Sequence, residues 1–137
     1  MISVLVVDDE PDFADTLGEA LQHAGFAAAV CHDGYQALEK LRLNPCDVLI
    51  TDFMMPGMRG SALIESARRL PHCATRSILM SSFSPSDIQE MYTGHDAYIR
   101  KPFGIDTLVG MISALRTAAP TSDSGTATGN QDRDGLR

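Results

Sequence analysis

The sequence has no tryptophan, 6% aromatic residues and only three cysteines in 137 residues. Cys31, Cys46 and Cys73 are odd in number, and no two lie close enough to form a metal-ligand pair, so neither a disulfide framework nor a zinc ribbon is indicated. His23, His32, His72 and His95 are scattered, without the i, i+4 spacing or the carboxylate neighbours of a zinc helix. No apolar run approaches the roughly 18 residues of a membrane span, and Met1-Ile2-Ser3-Val4 lacks the basic start of a secretion signal. The expectation is a cytoplasmic protein with no membrane insertion. Lysine is scarce: Lys40 and Lys101 are the only two, and no Lys or Arg precedes Lys40. With 11 basic against 18 acidic residues and a net charge of −7, the chain is poorly suited to binding a nucleic-acid backbone. A phosphate-cradling G-x-x-x-x-G-K-[ST] loop is missing, as is the Thr/Ser/Gly-rich loop a flavin phosphate would want.

What is present is one domain's worth of chain with 44% apolar residues, enough for a single core without a staple. Ile2 to Val7 is a near-continuous β-branched run that suits a strand covered on both faces. Pro11 fits a first helical turn, Phe13, Leu17, Ala20, Leu21 and Ala24 recur at helical spacing, and Gly25 closes that helix. Strands are expected at Ala27 to Cys31, Val48 to Thr51, Ile78 to Met80 and Ala97 to Arg100. Helices are expected at Tyr35 to Leu43, stopped by Asn44-Pro45, and at Ala62 to Leu70, halted by Pro71. Ser84-Pro85-Ser86-Asp87 reads as an N-cap, a helix-starting proline and a first-turn acid. The short helix that follows carries Ile88, Met91 and Tyr92 as its apolar stripe, with Gly94 as a left-handed cap. Ile105, Leu108, Ile112 and Leu115 make the buried stripe of a last helix. Five strands alternating with five helices imply an α/β, doubly wound, five-stranded parallel sheet. Residues 117–137, rich in Thr, Ser, Gly and Asp, read as a disordered tail behind a domain of residues 1–116.

In such sheets ligands bind beyond the carboxyl ends of the strands. Asp8 and Asp9 follow the first strand, Asp52 the third, Ser81 and Ser82 the fourth, and Lys101-Pro102 the fifth. Each has a bland alternative. The Asp8-Asp9 pair can cap a helix, Asp52 can be a loop acid, Ser82 a turn hydroxyl and Lys101 a surface lysine. Gathered on one edge they form a group, because two carboxylates about 4 Å apart repel by roughly 4 kcal/mol at an effective dielectric near 20. Oxygen-only ligands at an open edge suit Mg²⁺, and a lysine with a hydroxyl suits a phosphoryl group. Without a nucleotide cradle, that group is better placed covalently on a carboxylate, with Asp52 as the candidate nucleophile.

Four stretches then resemble the receiver domains of two-component response regulators over about residues 2–116: Val6-Val7-Asp8-Asp9-Glu10, Asp52 through Gly60, Ser82, and Tyr98-Ile99-Arg100-Lys101-Pro102-Phe103. The resemblance implies a flavodoxin-like (βα)5 fold with strand order 2-1-3-4-5. It also implies that Asp52 accepts a phosphoryl group from a histidine kinase, a phosphotransfer protein or a small donor such as acetyl phosphate. Asp8, Asp9, Asp52 and the Met54 backbone carbonyl would hold Mg²⁺. Lys101 would pair with the phosphoryl oxygens, behind a cis peptide to Pro102 that aims it inward. Ser82 would turn toward the phosphate and Tyr98 into the space vacated, remodelling a face read by a downstream effector protein or by a second copy in a phosphorylation-dependent dimer. Such a chain is a switch rather than a dedicated enzyme.

Some positions depart from the family pattern. The stretch from Ser82 to Gly94 is about one helical turn short, and Arg59 stands where an acid is common. Met54 and Ser84, at the two positions that govern phosphoryl lifetime in this family, offer no carboxylate or amide to orient water. Three alternatives to a stand-alone switch remain. A receiver portion of a larger DNA-binding transcriptional regulator has no helix-turn-helix here to support it. A phosphohydrolase would want a second acid where Met54 stands, and a binding-only pseudo-receiver would lack a site residue. Met54, Met55 and Met58 read as loop and core packing, Gly57 and Gly60 as turn residues, and Arg68-Arg69 as a solvated helix face.

Overall fold

The computed structural model describes residues 1–71 and 74–117. His72, Cys73 and the expected tail beyond Thr117 lie outside the described residues; Thr117 itself ends the last helix.

Ten elements alternate: β1 (Ser3–Val7), α1 (Pro11–His23), β2 (Ala27–Cys31), α2 (Gly34–Leu43), β3 (Val48–Asp52), α3 (Gly60–Arg68), β4 (Arg76–Ser81), α4 (Pro85–Met91), β5 (Ala97–Arg100) and α5 (Ile105–Thr117). The strands form one parallel sheet in the order β2-β1-β3-β4-β5. Register is set by pairs such as Val6 with Val30, Val6 with Ile50, Ile50 with Ile78 and Met80 with Ile99. The order reverses between β1 and β3, so the ends of these two strands border the crevice where this architecture binds ligands.

Alternation along each strand divides the core between two faces. Val4, Val6, Val48, Ile50, Ile78 and Met80 pack with Leu17 and Leu21 of α1 and Leu108 and Ile112 of α5. Leu5, Val7, Leu49 and Leu79 face Ala37 and Leu41 of α2, Leu63, Ile64 and Ala67 of α3 and Ile88 of α4. Both faces are covered, which explains why β1 and β3 read as unbroken apolar runs. β2 is an edge strand, and its Ala27-Ala28-Ala29 start is exposed to half-buried.

The helix ends follow local chemistry. Gly25, at φ 100°, takes the left-handed backbone that closes α1. The Asp33 carboxylate accepts the Gln36 amide at 2.8 Å and caps α2, a signal the sequence reading passed over. Ser84 caps α4 as expected, its hydroxyl accepting from the Asp87 amide at 3.2 Å. The short α4 spans seven residues and cannot hold itself without its cap and the buried Ile88. Ser84→Ala should therefore cost about 1 kcal/mol. Amide exchange at Ile88, whose N–H bonds to the Ser84 carbonyl at 3.0 Å, should quicken by roughly fivefold; unchanged exchange there would show that the cap contributes nothing.

Three expectations near α3 and α4 require correction. α3 begins at Gly60 rather than Ala62 and ends at Arg68, so Gly60 is a helical residue and not a turn residue. Met91 is exposed rather than part of the buried stripe. Gly94 is not a left-handed cap: α4 stops at Met91, and Tyr92 is extended at φ −164°. Gly94 instead leaves room, since a Cβ there would lie 2.3 Å from the Tyr92 hydroxyl and 2.6 Å from Glu65 Oε2.

Candidate functional site

The site is built where β1, β3 and β5 end on one edge of the sheet. β1 delivers Asp8, and the turn into α1 is pinned by the Glu10 amide donating to Asp8 Oδ1 at 2.9 Å. Asp9 follows on the exposed side. Asp52 is the last residue of β3, the central strand, and all five of that strand's residues are buried. Lys101 leaves β5 with its amide bonded to the Ser81 carbonyl at 2.7 Å, and its peptide to Pro102 is cis, as expected.

Carboxylate oxygens of Asp8, Asp9 and Asp52 lie within 4.8 Å of one another. Lys101 Nζ donates to Asp8 Oδ2 at 2.7 Å and stands 3.2 Å from Asp52 Oδ1. Asp8 is 1% and Asp52 9% exposed, so two acids of the three are nearly removed from solvent while one ammonium serves both. The Asp52 carboxyl is accordingly pushed up to about 6. Burial is the largest cause and the charges of Asp8 and Asp9 add to it, against the opposing pull of Lys101. Lys101 is held above its ordinary range, because the hydrogen bond to Asp8 and the charges of Asp52 and Asp8 outweigh its own burial. A cluster of three hard oxygen donors with one cation too few can coordinate a divalent metal.

The other expected residues sit around this centre. Met54 is two residues past Asp52, with its side chain 47% exposed. Ser82 is exposed on the loop after β4. Its carbonyl accepts from Arg100 Nε at 3.1 Å, and no hydrogen bond among the described residues joins its hydroxyl to the carboxylates. Tyr98 is half-buried, with its hydroxyl 3.1 Å from the Ser81 carbonyl and bonded to that of Phe83. The ring thereby fastens the β4–α4 loop to β5. Gly57, at φ 83°, supplies a turn as expected, and its carbonyl accepts from the Tyr35 hydroxyl at 3.2 Å.

Several neighbours were not singled out in the sequence. The Lys101 ammonium lies 4.4 Å from the centroid of the Phe13 ring. Arg59, for which the sequence offered no account, places its guanidinium 5.7 Å from the centre of the Phe53 ring. The Tyr92 hydroxyl donates to Glu65, which also pairs with Arg68 at 3.1 Å. His95 lies between Tyr92 and Tyr98, with ring centroids 5.8 and 6.0 Å away, and burial lowers the affinity of its imidazole for a proton. Pro85, Ile88, Gln89, Thr93, His95 and Tyr98 line a cleft of about 330 Å³ beside α4. Arg68 and Arg69 are exposed, bonded to Glu65 and Ser66, as a solvated face should be. Among the described residues, no helix is long and apolar enough to cross a membrane.

The order of the sheet and the acid–lysine edge define a phosphorylation-receiver type of domain, and sequence comparison agrees. The response regulator receiver domain model matches residues 4–113. The chain belongs to this family. It is 33% identical over 133 residues to the sensory transduction protein RegX3 of Mycolicibacterium smegmatis, covering 94% of this chain and 57% of that one. Against the transcriptional activator protein PfeR of Pseudomonas aeruginosa it is 35% identical over 114 residues, covering 82% and 37%. The chain thus spans little more than half, or less, of these relatives. Among solved structures it resembles the Francisella response regulator 1452 receiver domain, with TM-score 0.76 and 31% identity, covering 85% of this chain and 97% of that one. It also resembles the chemotaxis response regulator CheY4 of Vibrio cholerae, with TM-score 0.77 and 30% identity, covering 84% and 98%.

Proposed function

We propose that the chain is a Mg²⁺-dependent phosphoryl switch in which Asp52 accepts the group from a histidine kinase, a phosphotransfer protein or a small acyl phosphate, in the cytoplasm. The observation that carries this reading is the Lys101 ammonium, 2.7 Å from Asp8 and 3.2 Å from Asp52, beside a third carboxylate on an open edge. An ionised Asp52 oxygen attacks the phosphorus of the donor, the bond from phosphorus to the donor atom breaks, and the donor leaves with that bond's electron pair. Mg²⁺, held by Asp8, Asp9, Asp52 and the Met54 carbonyl, would neutralise phosphoryl charge and align the group. Lys101 shifts from the Asp52 carboxylate to the phosphoryl oxygens, supplying the same neutralisation from the other side.

The output follows from the β4–α4 loop. Ser82, exposed one residue beyond the strand, turns its hydroxyl to the phosphoryl group, and this moves the carbonyls of Ser81 and Phe83 that Tyr98 now holds. Released, Tyr98 rotates inward and reshapes the cleft beside α4 for a downstream effector protein. Incubation with Mg²⁺ and acetyl phosphate should add one phosphoryl group by intact mass. Chelation or Asp52→Asn should abolish it; an equal adduct on Asp52→Asn would contradict the proposal.

A second reading is a receiver portion of a larger DNA-binding transcriptional regulator, in keeping with the transcriptional activator protein PfeR, of which this chain covers 37%. The mass of the protein as it is made in cells separates the two: a product of 14.8 kDa supports the first, a longer one that binds DNA the second.

The phospho-form should last minutes or longer. The Met54 side chain points no carboxylate or amide at an attacking water, and the Ser84 hydroxyl is engaged at the Asp87 amide. Phosphate release measured after removing the donor checks this, and loss within seconds would refute it.

A further inference from the structure

We propose that Phe13 is a positioning residue for Lys101, keeping its ammonium beside Asp52 through a contact that phosphorylation leaves unchanged. This rests on the reading of Asp52 as phosphoacceptor. Phe13 lies in the first turn of α1, and Lys101 arrives from the far side of the site at the end of β5. The ammonium stands 4.4 Å from the ring centroid, well within the range at which a cation is attracted by an aromatic face. The ring also meets Phe103 in an edge-type contact, with centroids 6.3 Å apart and planes at 86°. Phe103 in turn packs on the core shared by α1 and α5, so the ring that the lysine meets is braced.

The other side-chain contacts of Lys101 are made to Asp8 and Asp52. Both change when the site works. Asp52 gives up a carboxylate charge on becoming an acyl phosphate, and Asp8 shares its charge with any cation the acids hold. The Phe13 ring carries no charge and no proton to lose, so its attraction for the ammonium is the same before and after. It confines a flexible side chain while the ammonium exchanges the Asp52 carboxylate for the phosphoryl oxygens. Packing alone does not demand an aromatic here. Phe13 is only half-buried at the edge of the core, and a leucine at that point of the helical stripe would cover the same face of α1.

The test uses the full chain. With only two lysines present, the ε-methylene of Lys101 is assigned by its disappearance in Lys101→Met. In the wild type it should be shifted upfield by the ring current, and should stay so when Mg²⁺ and beryllofluoride are added as a phosphoryl mimic. Phe13→Leu should remove the shift and slow phosphorylation by acetyl phosphate roughly fivefold, while Phe13→Tyr restores both. In a Lys101→Met background, Phe13→Leu should slow the reaction no further. An unshifted ε-methylene, a shift abolished by beryllofluoride, or an equal slowing in the Lys101→Met background would overturn the proposal. A wild type that takes up no phosphoryl group would remove the phosphoacceptor reading, while the ring-current measurement in the free protein would still decide the contact.

Discussion

Asp52→Asn should melt about 8 °C above the wild type at pH 7.5 in metal-free buffer, and the two proteins should melt together at about pH 3, below the ordinary carboxyl value. Burial and the neighbouring Asp8 and Asp9 hold the Asp52 carboxyl at about 6, against an ordinary 3.8. Its neutral form is therefore the better tolerated in the fold. Well below the ordinary 3.8 the carboxyl is neutral in both folded and unfolded chains, and the fold keeps this stabilisation in full. As pH rises through 6 the folded protein must ionise a group that resists it, and the stabilisation is lost. The upward displacement corresponds to about 2 kcal/mol once solvent at the open edge is allowed for, or roughly 8 °C in a domain of this size. Asparagine keeps the shape and removes the charge. Added Mg²⁺ should raise the wild type and leave Asp52→Asn nearly unmoved, because the variant has lost one of the three carboxylates. Melting curves at the two pH values with and without the metal check the prediction. A less stable Asp52→Asn at pH 7.5 would show that the Lys101 ion pair outweighs the crowding of acids.

Gly60→Ala should lower the melting point by roughly 10 °C and phosphoryl uptake by about a hundredfold. A Cβ at residue 60 would lie 2.2 Å from the Asp52 carbonyl oxygen, 3.0 Å from its carbonyl carbon and 3.1 Å from the Phe53 Cα. All three are backbone atoms, so no side chain can turn aside. The Gly60 amide also donates to the Phe53 carbonyl at 2.8 Å, which ties the first turn of α3 to the end of β3. Alanine must push α3 away or displace the strand end, at a cost of about 3 kcal/mol. Displacement of Asp52 by about 1 Å is enough for the fall in rate. Gly110→Ala is the control: nothing lies within 4 Å of its Cβ, it is exposed in α5, and it should be stabilising by up to about 1 kcal/mol. Calorimetry and phosphorylation of the two variants decide it. A Gly60→Ala that melts like the wild type would mean that the approach of α3 to β3 is looser than described.

The parallel sheet was legible because β1 and β3 are apolar on both faces and the ends of β1, β3, β4 and β5 are marked by an acid, a hydroxyl or a lysine. For the same reason Asp8, Asp9, Asp52 and Lys101 could be chosen before any coordinates: strand ends of one sheet share an edge, so residues far apart in sequence meet there. Gly60 misled because glycine is a poor helix former. Its place at the start of α3 is dictated by a backbone 2.2 Å from its absent Cβ, which no local pattern reveals. Gly94 misled in the same way, standing where a helix cap is usual while its role is to admit the Tyr92–Glu65 bond. The ends of β4 were missed because Arg76, Ser77 and Ser81 are polar. Ser77 is instead buried against Asp96, whose carboxylate accepts its amide at 2.8 Å. Phe13 satisfied a helical stripe so well that nothing in the sequence marked its ring as the neighbour of Lys101.

The central claim is that Asp52 carries the phosphoryl group. Borohydride reduces an aspartyl phosphate to homoserine, leaving a stable mark on the residue that held it. After incubation with Mg²⁺ and acetyl phosphate, reduction and peptide mapping by mass spectrometry should find homoserine at residue 52 and at no other position. Homoserine at residue 8 or 9, or none in the peptide that contains residue 52, would contradict the account.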